Sequence, residues 1–430
     1  MKRILGVVVA LAMVASCLVG FEVSAAEVVL DGGFVVDGTV LVRYEGNDTH
    51  VVIPDGITEI GCFAFDGGNL LSIDIPSSVT IIDEQALYEC QSLIEITANL
   101  SNANYSSADG VLFNKDKTML FAYPAGKSES TYTIPEGIKT IGDYAFVFCW
   151  HLKFVDIPTS VETIGEEAFL WCTSLVSVDI SSNVTKIGDN AFNSCSSLET
   201  VNIPTSVMTI GDNAFANGTS LKEITVSLDN ANYSSADGVL FNKDKTMLFA
   251  YPAGKSESTY TIPNSVMTID NYAFGSCTSL KSINIPYGVE IIAFDVFYGC
   301  TSLEFVSIPR SVTTIERGAF RNCTSLKSLY IPASVTEIWW GAFDGTTTLT
   351  VIEGSYAHQW AVENEQPYTL LSVTSWDSMQ DVFNMLKLIA SDFPLSEAQI
   401  AVADLNGDDK VTAMDALAAM KIIINKQLKQ

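Results

Sequence analysis

Near the end of this 430-residue chain, the residues Asp404, Asn406, Asp408 and Asp415 set side-chain oxygens at places 1, 3, 5 and 12 of one loop. Lys410, at place 7, can add its backbone carbonyl. A hard cation such as calcium takes six to eight oxygens from a flexible loop, and this spacing supplies them. The rest of the chain offers little other chemistry. Its three histidines, His50, His151 and His358, are far apart, which argues against imidazole catalysis and a histidine-rich metal site. Nine cysteines are present, none in a C-x-x-C pair. Fifty acidic against 23 basic residues give a net charge of −27. That charge repels phosphate backbones and anionic lipid, so a nucleic-acid or membrane-surface role is disfavoured.

Residues 1–25 read as an export signal, with Lys2 and Arg3, then apolar Ile4 to Val19, then Val23-Ser24-Ala25 as a small-residue cleavage site. Lipoprotein processing at Cys17, after Val14-Ala15-Ser16, is a rival reading. The apolar run is short for a membrane span, and no other segment is long and apolar enough to make one.

Residues 26–370 are a repeat array. Isoleucine precedes proline at Ile53, Ile75, Ile134, Ile157, Ile203, Ile262, Ile285, Ile308 and Ile331, with Ile180-Ser181 filling one slot. The steps are 23 residues from Ile134 to Ile203 and again from Ile262 to Ile331. Asn102 to Pro135 returns unchanged as Asn230 to Pro263, 128 residues on, so a block has been duplicated. Counting places from the isoleucine, one unit carries apolar Ile157, Val161, Ile164, Ala168, Phe169, Cys172, Leu175 and Val178. Val178 and Ile180 alternate with polar Ser177 and Asp179, which predicts a short strand with one buried face. Proline then ends the ladder, because it has no N–H to give. Gly165 allows a turn, and Ala168-Phe169 suits a short helical turn. One such unit cannot bury its own apolar edge, whereas a stack can, so the expected fold is an α/β solenoid.

Seven cysteines (Cys90, Cys149, Cys172, Cys195, Cys277, Cys300 and Cys323) recur at place 16, with Gly218 and Thr346 in two other units. We read them as buried free thiols, the competing readings being disulfides or a metal ladder. A phenylalanine column running from Phe65 to Phe343 is likewise core. Places 21 and 23 point away from the buried side and collect Phe154, Phe305 and Tyr330 among acids. These are candidate contacts for a protein or sugar ligand; a plain solvated sheet face would look the same.

The unit Ile-Pro-x-x-Val-x-x-Ile-Gly-x-x-Ala-Phe-x-x-Cys-x-x-Leu resembles the BspA-like leucine-rich repeat family over about Val40 to Tyr368. Tyr105 to Asp116 resembles an element interspersed in such arrays and reads as a hairpin, Val111-Leu112-Phe113 against Met119-Leu120-Phe121. Gly354 to Tyr368 resembles the family's terminal cap. The resemblance implies a leucine-rich-repeat solenoid of short strands and short helical turns, in a secreted or surface protein that binds partners and is not an enzyme.

Residues 371–430 resemble a type I dockerin, a small all-α module with EF-hand-like loops. Asp381 to Lys387 matches Asp415 to Lys421 at an offset of 34, as expected for two related halves. The first loop then falls on Leu370, Ser372 and Thr374, which are not calcium carboxylates. Asp409 stands where the family has glycine. The resemblance therefore implies one calcium ion, held by Asp404, Asn406, Asp408, Lys410 and Asp415. It also implies a cohesin on a cellulosome-like scaffold as partner, faced by Ala413 and Met414. The repeats would bind a protein or plant-surface ligand. Two alternatives stay open, a cell-surface adhesin with a calcium-stabilised cap and a polysaccharide-degrading enzyme. The latter needs two carboxylates about 5–10 Å apart in a sugar cleft.

Overall fold

The computed structural model describes residues 27–65 and 69–371, together with Thr412, Leu417, Ala419 and Met420. The export signal and the calcium-loop residues Asp404, Asn406, Asp408, Lys410, Ala413, Met414 and Asp415 lie outside the described residues. The described residues form repeat β-solenoid turns, about 14 in all, with almost no helix. It divides into two compact units, residues 1–198 with 206–214, and residues 199–205 with 215–430.

In the first unit each turn has three sides. The expected strand is present: Thr131–Thr133, Phe154–Asp156 and Ser177–Val178 pair in parallel, Thr131 with Phe154 and Phe154 with Ser177. A second side, not expected from the sequence, carries the two-residue strands Thr140–Ile141, Thr163–Ile164, Lys186–Ile187 and Thr209–Ile210, also parallel.

The third side corrects the expected helical turn. Places 11 and 15 take left-handed backbone at Tyr144, Phe148, Glu167, Trp171, Asn190 and Ser194, with φ between +51° and +60°. A left-handed residue every fourth position prevents a helix from propagating. Alternate N–H groups bond inside the turn, as in Leu170 to Glu167 (3.0 Å) and Cys172 to Phe169 (3.1 Å). The others reach the next turn, as in Tyr144 to Glu166 (2.9 Å), Phe146 to Ala168 (2.7 Å) and Phe148 to Leu170 (3.0 Å). The strain of non-glycine residues at positive φ is offset because the amides of Tyr144, Phe148, Glu167, Trp171 and Asn190 each find a partner one turn on.

Inside these sides run the apolar columns. Ile157, Val161, Ile164, Ala168, Phe169, Cys172, Leu175 and Val178 are all buried. Phe169 stacks on Phe146 at 4.8 Å and on Phe192 at 5.0 Å, close to the strand pitch. Among the described residues the eight cysteines are thiols, and the seven at place 16 are buried. They do more than fill space: Cys172 and Cys195 Sγ–H donate to the carbonyls of Phe146 and Phe169 one turn back, at 3.1 and 3.2 Å. Burial pushes the Cys149 and Cys195 thiols well up, so they are poor nucleophiles.

The interspersed element keeps the stack in phase. Tyr105–Ala108, Val111–Asn114 and Met119–Ala122 form an antiparallel meander, one strand more than the hairpin read from the sequence. Asp109 and Gly110, at φ +51° and +78°, make its tight turn. Met119–Ala122 then pairs in parallel with Thr140–Ile141, so Leu120 enters the isoleucine column. Asn102, wholly buried, anchors the entry: its amide donates to the carbonyls of Pro76 and Val79, at 2.8 and 2.9 Å. The strands Phe34–Asp37 and Val40–Tyr44 close the beginning of this unit in the same way, with Leu41 beside Ile60.

The second unit repeats the plan. Its meander is Tyr233–Ala236, Val239–Asn242 and Met247–Ala250, passing to Thr268–Ile269. Phe274, Phe297, Phe320 and Phe343 stack at 5.3, 5.5 and 5.7 Å. Its stack ends in the cap expected from the sequence. The helix Tyr356–Glu363 buries Ala357 and Ala361, with Ser355 Oγ capping the His358 N–H. Trp360 meets Phe343 edge-on at 5.7 Å, and Tyr368–Leu370 adds a last strand beside Thr348–Val351.

Replacing Phe169 by alanine should leave a cavity between two stacked rings and cost about 3–5 kcal/mol, read as a lowered denaturant midpoint. Thiol titration of the unfolded, unreduced protein should find the eight cysteines of residues 62–323 free.

Candidate functional site

The sheet-face candidates fall in both units. Phe154 and Phe305 are about half exposed, at 48% and 51%. Phe154 belongs to the first unit, with Thr131 and Ser177 beside it in register. Phe305 belongs to the second unit, beside Ser282. Tyr330 is half-buried, and burial pushes its hydroxyl up to about 12. Each aromatic is thus set in a row of small polar side chains.

Aromatic side chains gather instead on the third side, which the sequence reading passed over. In the first unit Tyr88 meets Phe63, Tyr144 and Phe148 edge-on at 5.8, 5.7 and 5.3 Å, and Phe148 meets Trp150 at 6.0 Å. Beside them, place 10 carries an acid on five turns: Glu84, Asp143, Glu166, Asp189 and Asp212. Asp143 Oδ1 accepts the Glu166 N–H at 2.6 Å, and Asp189 Oδ1 accepts the Asp212 N–H at 2.9 Å. Desolvation and then the neighbouring acids raise the Glu84 and Glu166 carboxyls. Glu167, only 4% exposed and with Oε2 unpartnered, is pushed by burial, then by Glu166, up to about 7.

In the second unit the same side has different chemistry. At the 128-residue offset, place 10 reads Asn271, Phe294, Arg317 and Trp340. The Arg317 guanidinium lies 4.1 Å from the Trp340 ring centre, and that of Arg321 lies 4.7 Å from Tyr298. Asp295 is buried between them: its Oδ2 accepts from the Tyr272 hydroxyl at 2.7 Å and from Arg321 at 3.2 Å. Desolvation still raises its carboxyl, against the opposing pull of Tyr272 and both arginines. A Cβ on Gly318, whose φ is +68°, would collide with Asp295 Oδ1, so this turn requires glycine there. The signal for this face was in the sequence: tryptophan and arginine at places 10 and 14, outside the core columns.

Among the described residues no group of three or more histidine, cysteine or acidic side chains is arranged to hold a metal ion. No helix among them is long and apolar enough to cross a membrane.

The 23-residue turns, their phenylalanine column and their interspersed meanders match the BspA type leucine rich repeat region, in six copies over residues 44–118, 120–241 and 249–357. The chain belongs to that family. No curated protein matches it. Among solved structures it is similar to a leucine rich cell surface protein from Faecalibacterium prausnitzii, at 26% identity over 79% of this chain and 98% of that one, TM-score 0.47. It is similar to the pneumococcal vaccine antigen PcpA at 26% identity over 76% and 78%, TM-score 0.46. A leucine-rich repeat protein from Eubacterium ventriosum shares 27% identity over 69% of this chain and 64% of that one, less than two thirds of its length, TM-score 0.37.

Glu167 gives a pH test. Its folded carboxyl is held above the unfolded value, so its stabilising contribution is full below about pH 4.5 and lost as pH rises through about 7. Glu167→Gln should therefore flatten the unfolding free energy across that window and stabilise the protein at pH 8, by up to about 3 kcal/mol.

Proposed function

We propose that this chain is an exported, non-catalytic interaction protein: its repeats recognise a protein or plant-surface ligand, and its tail docks it to a cohesin on a cellulosome-like scaffold. The observation that carries the interaction reading is the third side of each unit. There the surface aromatics and arginines gather, and Asp143 and Asp189 each accept a backbone amide. Rigid tryptophan, tyrosine and arginine side chains are the residues that dominate binding energy at protein interfaces.

The docking reading rests on the loop Asp404, Asn406, Asp408, Lys410 and Asp415, with Ala413 and Met414 as the residues facing the cohesin. Without a cation three carboxylates would meet in one loop and repel, so calcium should order the tail. Calorimetry should report one calcium ion per chain, because the first loop falls on Leu370, Ser372 and Thr374. A stoichiometry of two would show that the first loop is aligned wrongly. Calcium should also switch on capture of a cohesin from a panel, and Asp404→Ala with Asp408→Ala should abolish it. Cohesin capture that persists in a chelator would overturn the mechanism.

A further inference from the structure

The two units come from one duplicated block, so residues 128 apart occupy the same place on two copies of one scaffold. Along the third side the copies have diverged in sign. Asp189 and Asp212 in the first correspond to Arg317 and Trp340 in the second, and Asn193 corresponds to Arg321. Outside the leader the whole chain has four arginines, and three of them lie within residues 310–321. All three sit over aromatic rings: Arg310 on Tyr287, Arg317 on Trp340 and Arg321 on Tyr298.

Arg317 is the one with donors to spare. Among the described residues its side chain makes no hydrogen bond and no ion pair, and its guanidinium lies over the Trp340 ring, 4.1 Å from the ring centre. The nearby acids are already committed. Glu316 accepts the Phe294 N–H at 2.8 Å, Glu337 the Trp339 indole N–H at 2.9 Å, and Asp344 the Asn322 N–H at 3.0 Å. Asp295 holds Arg321 in place from beneath. Trp340 is 66% exposed and Trp339 45%. A stacked guanidinium keeps its planar fork pre-organised, so it loses little entropy on gripping a carboxylate with two bonds.

Resting on the interaction reading above, we propose that this face of the second unit, centred on Arg317 and Trp340 and flanked by Arg321 and Tyr298, docks a polypeptide segment presenting carboxylates beside aromatic side chains. A polysaccharide is the weaker fit. A sugar ring needs an open aromatic face, and one face of Trp340 is taken by Arg317.

The test uses the full chain over an immobilised random glutamate–tyrosine copolymer, at low and at physiological salt. The expected result is saturable binding that weakens with salt. Arg317→Ala should weaken it by about tenfold or more, as for loss of a hot-spot side chain. Asp189→Ala, the matching place on the first unit, should leave it unchanged. Unfolding midpoints equal to the parent's would establish that Arg317→Ala still folds, as its place outside the core columns implies. Equal binding by parent and Arg317→Ala, or equal binding of polygalacturonate and the copolymer, overturns the proposal. So does a chain that ignores the copolymer yet captures a cohesin in calcium, a result that would leave the docking reading standing.

Discussion

Everything in this molecule depends on backbone amides reaching across from one turn to the next. Thr163 and Ile164 pair with Lys186 and Ile187, and Phe169 N–H bonds the Ala191 carbonyl at 2.8 Å, so successive turns must superpose at the strand pitch. The apolar columns follow from that superposition. A phenylalanine over a phenylalanine, or a thiol over a thiol, is simply what exact repetition of one turn places inside. The hydrophobic effect supplies most of the driving force, yet the ladder decides which atoms meet.

The place-16 cysteines illustrate the difference. A small apolar side chain would satisfy the volume, and Gly218 and Thr346 stand at this place elsewhere in the sequence. The thiol adds a weak donor aimed at the carbonyl of the phenylalanine one turn back, at 3.0 Å for Cys300 and 3.2 Å for Cys323. That carbonyl already accepts an amide from its own turn, as Phe297 does from Cys300 at 3.1 Å, so the thiol occupies its second lone pair. Parallel neighbours that each point their sulfur at a carbonyl are not disposed to form a disulfide.

Much of this was legible in the sequence. The Ile-Pro spacing and the phenylalanine column follow from an apolar pattern that repeats, and the columns and strands lie where that pattern puts them. The third side was not legible because its conformation contradicts local preference. Tyr144, Glu167 and Trp171 have no intrinsic liking for left-handed backbone, and Ala168-Phe169 in isolation favours a helix. Only the inter-turn amide bonds reverse that preference, and they involve residues 22 apart, such as Tyr144 and Glu166. The second strand was hidden for a related reason: two residues, Thr163 and Ile164, are too few to show alternation. The aromatic and arginine face escaped notice because its members recur at a place, not in a segment. It appears when residues 128 apart are compared.

That comparison also sets two buried acids side by side. Glu167 and Asp295 occupy the same place in the two copies, and both are buried. In the second unit Tyr272 and Arg321 bond Asp295, and Gly318 leaves room for its second oxygen. In the first unit the place of Arg321 is taken by Asn193, whose amide bonds Asn190 at 2.9 Å, the residue in the place of Gly318. The neighbouring Tyr144 hydroxyl accepts from Gln85 at 2.6 Å. Glu167 keeps an unpartnered oxygen, and burial, then the neighbouring Glu166, raises its carboxyl. Arg321 and Gly318 therefore act together. The arginine compensates the buried charge, and the glycine admits the carboxylate that keeps the arginine fixed over Tyr298. One scaffold thus carries an acidic face in its first copy and a cationic, aromatic face in its second.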